Sequence, residues 1–378
     1  MYIYDMLPSD KFLQQSIYAI RSNSAGDVLL LWGKQKMNSD EKTTDTDPAV
    51  IDIIIPTYKP DKRLLAILEH LEKQTLPVHR IIIMNTEEKY FETLIYGTAF
   101  FEKHKKIKVY HLSKREFDHG KTRHIAVQKS EAEIFVMMTQ DSIPWDDSLL
   151  ENLVSELRGN VAVAYARQLP AENCSEMERF SRLFNYPPQS RLKTQQDTGE
   201  LGIKAYFCSN SCAAYRRDIY EELGGFIRHT IFNEDMIYAA KAMQSGYAIY
   251  YAAEAKVIHS HNYTDRQQFH RNFDMAVSQA DHPEVFAEIS SESEGKRLVR
   301  ETRAHLKKMG LRKQIPRLYI QSAYKYLGYR LGKNYKRLPQ KWIYAMTMDR
   351  AYWDRESRRR DVDGIDAAQG YGKTKEEE

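Results

Sequence analysis

The chain has 378 residues, is 42% hydrophobic and 29% charged, and carries a net charge of +4. It can bury a core, so a disordered chain is excluded, and its length allows one large or two medium domains. Three cysteines, Cys174, Cys208 and Cys212, exclude a disulfide framework and point to a reducing compartment. No Cys/His spacing matches a structural zinc site, no internal repeat is apparent, and no apolar run approaches the ~20 residues that span a bilayer.

Residues 1–49 read as an N-terminal segment and linker with no functional signal. Ser9-Asp10 can cap a helix through about Ile20, Val28 to Trp32 can form a short strand, and Asn38 to Pro48 is a polar linker. Met1 to Asp10 has two aspartates and no basic residue, which argues against a signal peptide.

From Val50 the pattern is regular. Ile51 to Ile55 is a buried strand ended by Pro56-Thr57-Tyr58, and Leu64, Leu65, Leu68 and Leu71 recur at helical spacing. Arg80 to Met84 is a second strand, Glu87 to Lys103 a helix, Lys108 to Leu112 a third strand. A helix follows through about Lys129, and Ile134 to Met138 is the fourth strand. Strands alternating with helices predict a parallel sheet with right-handed crossovers. No G-x-G-x-x-G follows the first strand, against dinucleotide binding.

The fourth strand runs into Thr139-Gln140-Asp141-Ser142-Ile143-Pro144. In open α/β sheets ligands sit outside the carboxyl ends of strands, so Asp141 is placed where a carboxylate holds a metal or a ligand hydroxyl. Asp-Ser and Ile-Pro are equally ordinary strand-exit residues, so the stretch alone reads as turn or site.

Asp146 to Leu157 reads as a helix, Val161 to Tyr165 as a strand, Cys174 to Phe184 as a helix and Pro187 to Gly202 as a mobile polar loop. Cys208 and Cys212 lack partners at metal spacing and read as buried small residues. Gly224-Gly225-Phe226 marks a turn. Asn233 caps a helix whose first turn carries Glu234 and Asp235, and Gly246 ends it. Ala248 to Tyr251 and Ala255 to Ile258 are two short strands, followed by His259-Ser260-His261-Asn262-Tyr263.

Between Lys296 and Arg360 stand about twenty Lys and Arg against about four Asp and Glu, with Tyr and Trp interleaved. Neither an RNP signature nor a helix-turn-helix pattern is present, so nucleic acid is not the expected partner. Such a region suits an anionic membrane surface, or is a solvated helical subdomain. Asp361 to Glu378 reads as a disordered tail.

Five motifs in order resemble an inverting glycosyltransferase of family 2, most like the bacterial rhamnosyltransferases. They are Ile53-Ile54-Ile55-Pro56-Thr57-Tyr58, Phe117-Asp118-His119-Gly120-x-Thr122-Arg123, Thr139-Gln140-Asp141, Asn233-Glu234-Asp235 and His259-Ser260-His261-Asn262-Tyr263. Lys325 to Lys333 is similar to the tail of such enzymes. The resemblance implies an α/β fold: a GT-A (Rossmann-like) domain over 50–265 and a C-terminal helical, basic extension over 266–360. In place of the usual Asp-x-Asp stands Thr139-Gln140-Asp141, a form that rhamnosyltransferases often show. Lys121 takes the place of a more usual glycine.

The resemblance also assigns roles. The donor, dTDP-L-rhamnose, would lie against Pro56, Thr57, Tyr58, Asn85, His119, Gly120, Arg123, Gln140 and Asp141, with Arg123 near the diphosphate or sugar. A helix N-terminus is a ready anion site, which suits His119 and Gly120. Asp141 and His261, with His259 as the alternative, would hold Mg2+ or Mn2+ on the leaving diphosphate. Asp235 would be the general base that takes the acceptor's proton, with Glu234 as the fallback. Ser209 and Asn210 would bind an acceptor sugar hydroxyl. The acceptor would be a bacterial surface polysaccharide or lipid-linked glycan, which places the enzyme in the cytoplasm at the inner face of the membrane. The rival readings are the same fold with a UDP-hexose donor, or a non-catalytic sugar-nucleotide or glycan-binding module.

Overall fold

The computed structural model describes residues 50–287 and 291–357; the readings above for 1–49 and 361–378 lie outside them. The first half runs β1 (Ile51–Tyr58), α1 (Lys62–Glu72), β2 (Arg80–Thr86), α2 (Glu88–Ile95), α3 (Phe100–Lys103), β3 (Ile107–Leu112), α4 (His119–Gln128) and β4 (Ile134–Met138). It continues with β5 (Ile143–Pro144), α5 (Leu149–Val154), β6 (Val161–Leu169), α6 (Glu176–Asn185), β7 (Arg191–Lys193), α7 (Thr198–Leu201), β8 (Cys212–Arg216), α8 (Arg217–Glu222), α9 (Glu234–Gln244) and β9 (Ala248–Ile258). Helices α10 (Asp265–Asp281), α11 (Pro283–Phe286), α12 (Ser291–Lys308), α13 (Ile315–Lys333) and α14 (Gln340–Met346) follow, then a helical stretch over 350–357.

The strands form one sheet in the order β3-β2-β1-β4-β8-β6-β9-β5, with β7 paired to β9. Only β3-β2-β1-β4 is the predicted parallel array. Strand β8 enters antiparallel between β4 and β6, so the sheet is mixed. Ile51, Ile53 and Ile55 pack with Leu64, Ile67 and Leu68 on one face, while Ile54, Ile82 and Phe135 pack with Ala126 and Val127 on the other. Both faces are covered, which is why Ile53-Ile54-Ile55 is an unbroken apolar run rather than an alternating one; the buried Asp52 before it is paired with His79 at 2.8 Å. Each such side chain contributes about 1.5–3 kcal/mol by leaving water.

Several boundaries differ from expectation for local reasons. Strand β1 continues through Pro56 to Tyr58, because pairing with β4 stops at Ile54 while pairing with β2 runs on to Thr86. A proline is tolerated where one edge is free. The 87–103 helix breaks at Gly97, which has φ +70°. The 187–202 loop contains β7, held by Tyr251, Tyr250 and Ile249 of β9. The two strands after Gly246 are one, β9, whose register against β6 shifts between Ala252 and Lys256. Asn233 does not cap α9 through its side chain: it sits at φ +63°, a conformation asparagine tolerates, and its amide donates to the Met275 carbonyl.

The basic C-terminal region is helical. Helix α13 lies so close to α10 that a Cβ on Gly328 would stand 2.2 Å from the Phe269 carbonyl oxygen, and one on Gly332 2.3 Å from that of Phe273. This accounts for the two glycines in the 325–333 motif.

Candidate active site

The carboxyl ends of β4 and β9 bring Asp141, His259 and His261 together. His259 Nε2 and His261 Nε2 are 3.0 Å apart, and they lie 3.4 and 3.6 Å from the two Asp141 carboxylate oxygens. One ion with bonds of about 2.1 Å reaches donors up to about 4.2 Å apart, so these three donors fit a single cation. His259 Nδ1 donates to Gln168 Oε1 at 2.8 Å, which turns Nε2 toward the cluster, where it donates to Asp141 or, once deprotonated, could ligate a metal. Burial alone would raise the Asp141 carboxyl; its hydrogen bond with His259 and the charges of His259 and His261 hold it well below the usual carboxylate range. Burial, then the neighbouring His259, push His261 down to about 4, so its imidazole is neutral at pH 7. Among the described residues this cluster is the group of three with metal-ligand geometry.

The first turn of α9 supplies the acid pair. Glu234 is buried and forms an ion pair with Arg123 Nε at 3.2 Å. Arg123, itself buried, also donates to the His119 carbonyl at 2.9 Å. Arg123 is thus engaged with Glu234 and the His119 carbonyl, and the pair is interior rather than on the surface. Asp235 accepts from the backbone N–H of Asn210 at 3.0 Å and of Met236 at 2.8 Å. Burial, then the adjacent Glu234 carboxylate, push the Asp235 carboxyl up to about 7.

Ser209 and Asn210 join the two clusters. Ser209 Oγ accepts from Gln168 Nε2 at 2.9 Å, and Gln168 holds His259. The Asn210 amide donates to Glu234 at 3.0 Å, while its oxygen accepts from the Tyr215 hydroxyl at 2.7 Å. Asn210 is 4% exposed, so its side chain positions the acids.

At the ends of β1 and β2, Thr57 and Asn85 are buried and bonded to each other at 3.0 Å, and Asn85 also meets His111 Nδ1 at 3.0 Å. Asn85 has no exposed surface, so it ties the strand ends together instead of presenting its amide to the cleft. Tyr58 is exposed and packs edge-on to Tyr90, with Lys59 near both rings. The Gln140 amide pairs with both backbone groups of Tyr58, at 2.9 and 3.0 Å, and thereby fixes Asp141 against β1. A side-chain amide offers the donor and the acceptor this pairing uses on two separate atoms. Asp118 caps α4 through the N–H groups of Gly120 and Lys121. Gly120 has no room for a side chain: a Cβ would lie 1.7 Å from the Ile227 carbonyl oxygen. The His119 ring sits between those of Phe117 and Phe232, and burial pulls its pKa down.

Sequence reasoning missed Gln168 and Arg182, whose guanidinium donates to the same Gln168 oxygen. Gln168 carries no local signal, because Ser209 and His259 lie far along the chain, and Arg182 shows only an ordinary i,i+4 pair with Glu178.

A mixed sheet of this topology, with a carboxylate–histidine cluster and an acid pair at its carboxyl edge, is the GT-A fold, and the chain is a glycosyltransferase. A mannosyltransferase from Pyrobaculum calidifontis, solved with GDP-mannose and Mn2+, superposes with a TM-score of 0.53 at 14% identity, over 78% of this chain and 89% of that one. The glycosyl transferase family 2 profile matches residues 52–224. The O-antigen chain rhamnosyltransferase RfbN of Salmonella typhimurium is 37% identical over 308 residues, 80% of this chain and 96% of that one. WbaN of Salmonella anatum, also an O-antigen chain rhamnosyltransferase, is 42% identical over 247 residues, 64% of this chain and 78% of that one. The chain belongs to glycosyltransferase family 2, in the group of the bacterial rhamnosyltransferases.

Proposed function

We propose that the enzyme transfers L-rhamnose from dTDP-L-rhamnose, with inversion, to a hydroxyl of a growing, lipid-linked bacterial surface polysaccharide. The names of RfbN and WbaN support the sugar and the polymer class. The observation that carries the mechanism is the Ser209-Asn210 bolt: one dipeptide fixes the acid pair and, through Gln168, the Asp141–His259–His261 cluster.

In this reading Asp235 accepts the acceptor's proton as the hydroxyl attacks the anomeric carbon. Arg123 neutralises Glu234, so Asp235 is the carboxylate left to act, with a pKa of about 7 that matches the task. Asp141, His259 and His261 would hold a divalent cation, which supplies charge stabilisation to the leaving diphosphate. Two imidazoles beside one carboxylate suit Mn2+ better than the strictly oxygen-seeking Mg2+. Tyr58 and the backbone beside it would meet the nucleoside, and His119 and Gly120 the donor at the start of α4.

Residues 50–265 would form the transferase domain and 266–360 the part that meets the membrane. No described helix is long and apolar enough to cross a bilayer. Helix α13 instead exposes Tyr319, Ile320, Tyr324 and Leu327 among basic residues, the composition of an interfacial helix on an anionic inner leaflet.

The test offers dTDP-L-rhamnose, UDP-glucose, UDP-galactose and UDP-GlcNAc to the purified protein, with and without Mn2+ or Mg2+. Metal-stimulated turnover of dTDP-L-rhamnose alone is the expected result. Preference for a UDP-sugar would overturn the donor assignment.

A further inference from the structure

A cavity of about 710 Å3 lies between α6, α10, α12 and α13. Its size is that of a ligand site. Its walls include the apolar side chains of Met177, Met275, Leu298, Val299 and Leu318, together with three cations, the exposed Lys296 and, further in, Arg271 and Lys325.

Among the described residues Arg271 and Lys325 have no acid of their own and make no ion pair and no hydrogen bond; the Arg271 guanidinium instead lies over the rings of Phe232 and Tyr263, at 4.7 and 5.8 Å. The nearby acids are engaged elsewhere: Glu178 pairs with Arg182 at 2.7 Å, and Glu292, which lines the cavity, with Arg330 at 3.4 Å. Burial lowers the Lys325 ammonium, as expected of a cation short of counter-charge.

The cavity adjoins the active site. Helix α6 turns one stripe, Met177, Ser181 and Asn185, into it. From the neighbouring stripe, Arg182 reaches Gln168 and Glu178 accepts from the His261 N–H. One helix, about 10 Å across, therefore separates the cavity from the proposed metal cluster. Arg271 stands at the border, because Tyr263 stacks on His261 and Phe232 precedes the acid pair. At the other side Tyr326 lines the cavity and is 52% exposed, on the helix that carries the outward apolar side chains.

We propose that this cavity binds the lipid-phosphate end of the acceptor, with a phosphate or diphosphate between Arg271 and Lys325 and the single alkyl chain along Met177, Leu298, Val299 and Leu318. This rests on the lipid-linked acceptor named above and gives it a place. The charges are complementary, the apolar wall matches a chain, and the anionic end would sit one helix away from the reacting hydroxyl's base and metal site.

The test is calorimetric binding of dodecyl phosphate, below its aggregation concentration, to the full chain. Dodecanol, inorganic phosphate and dihexanoyl phosphatidylglycerol serve as comparisons. No sugar nucleotide is present, so a wrong donor assignment would not register here. The expected result is saturable 1:1 binding of dodecyl phosphate, at least about 100-fold tighter than inorganic phosphate, since each buried methylene is worth about fourfold. Lys325→Gln and Arg271→Gln should each weaken it about tenfold, and Val299→Trp, which narrows the apolar wall, should weaken it at least as much, with unchanged circular dichroism. No saturable binding, binding unmoved by all three variants, or equal binding of dodecanol would overturn the proposal. Tighter binding of the two-chain phosphatidylglycerol would also overturn it, by making this a bulk-lipid site.

Discussion

Arg123 and Glu234 form an ion pair at 3.2 Å in which both side chains are less than 10% exposed. The pair sets two successive acids apart: Glu234 is bound to a fixed cation, whereas among the described residues Asp235 is held by backbone N–H groups, which is the basis for proposing it as the base. Glu234→Gln leaves the Arg123 charge buried without its partner. Loss of one member of a buried pair costs about 3–5 kcal/mol. Thermal unfolding should show that loss, with a smaller one for the double variant Glu234→Gln/Arg123→Met. Equal destabilisation by both would mean the pair is not coupled.

The pH dependence follows from Asp235. Its carboxyl is raised from 3.8 to about 7 by burial and then by Glu234. A base must be ionised, so turnover should rise about tenfold per pH unit below 7 and level off above it. For stability the sign is opposite. Between pH 4 and 7 the folded protein holds a proton that the unfolded chain has lost, so this group's contribution is greatest below pH 4 and declines as pH rises through 7. Asp235→Asn should therefore gain melting temperature relative to the parent from pH 5 to pH 8. A constant difference would refute the raised pKa.

Gln168 touches no substrate in this account, yet it sets the His259 tautomer. Outer partners of metal-bound histidines are typically worth 10–100-fold in metal affinity. Gln168→Met should weaken Mn2+ binding by about that factor in calorimetry, and Asp141→Asn should weaken it further. Unchanged Mn2+ affinity in both would remove the cluster as a metal site.

Gly332→Ala tests the C-terminal helix pair. In an exposed helix the change would stabilise by about 1 kcal/mol. Here the new methyl would stand 2.3 Å from the Phe273 oxygen and 2.8 Å from Ala276 Cβ, so a loss of about 1–3 kcal/mol is expected. A rise in melting temperature would show that α10 and α13 are not packed this closely.

The parallel half of the sheet is legible in the sequence because Ile53–Ile55, Ile81–Met84 and Ile134–Met138 are buried on both faces and read as unbroken apolar runs. The order of short motifs then placed Asp141, Asp235 and His261 at one edge. Strand direction leaves no such mark, and Cys212–Arg216, with two alanines, carries too weak a pattern to be read as the antiparallel strand β8. Arg191-Leu192-Lys193 was hidden because three residues on one edge need no apolar pattern. Asn233 looked like a cap because the same residue type suits both a cap and a left-handed backbone. Gln168 and Asn210 owe their roles to partners many residues away, which no window of sequence contains.

The most direct test of the central claim is Asp235→Asn, with donor affinity and transfer to acceptor measured on the same preparation. The account predicts dTDP-L-rhamnose binding within about twofold of the parent and transfer slowed by at least about 10²–10⁴, the usual worth of a positioned base. Transfer retained at near the parental rate would contradict Asp235 as the base.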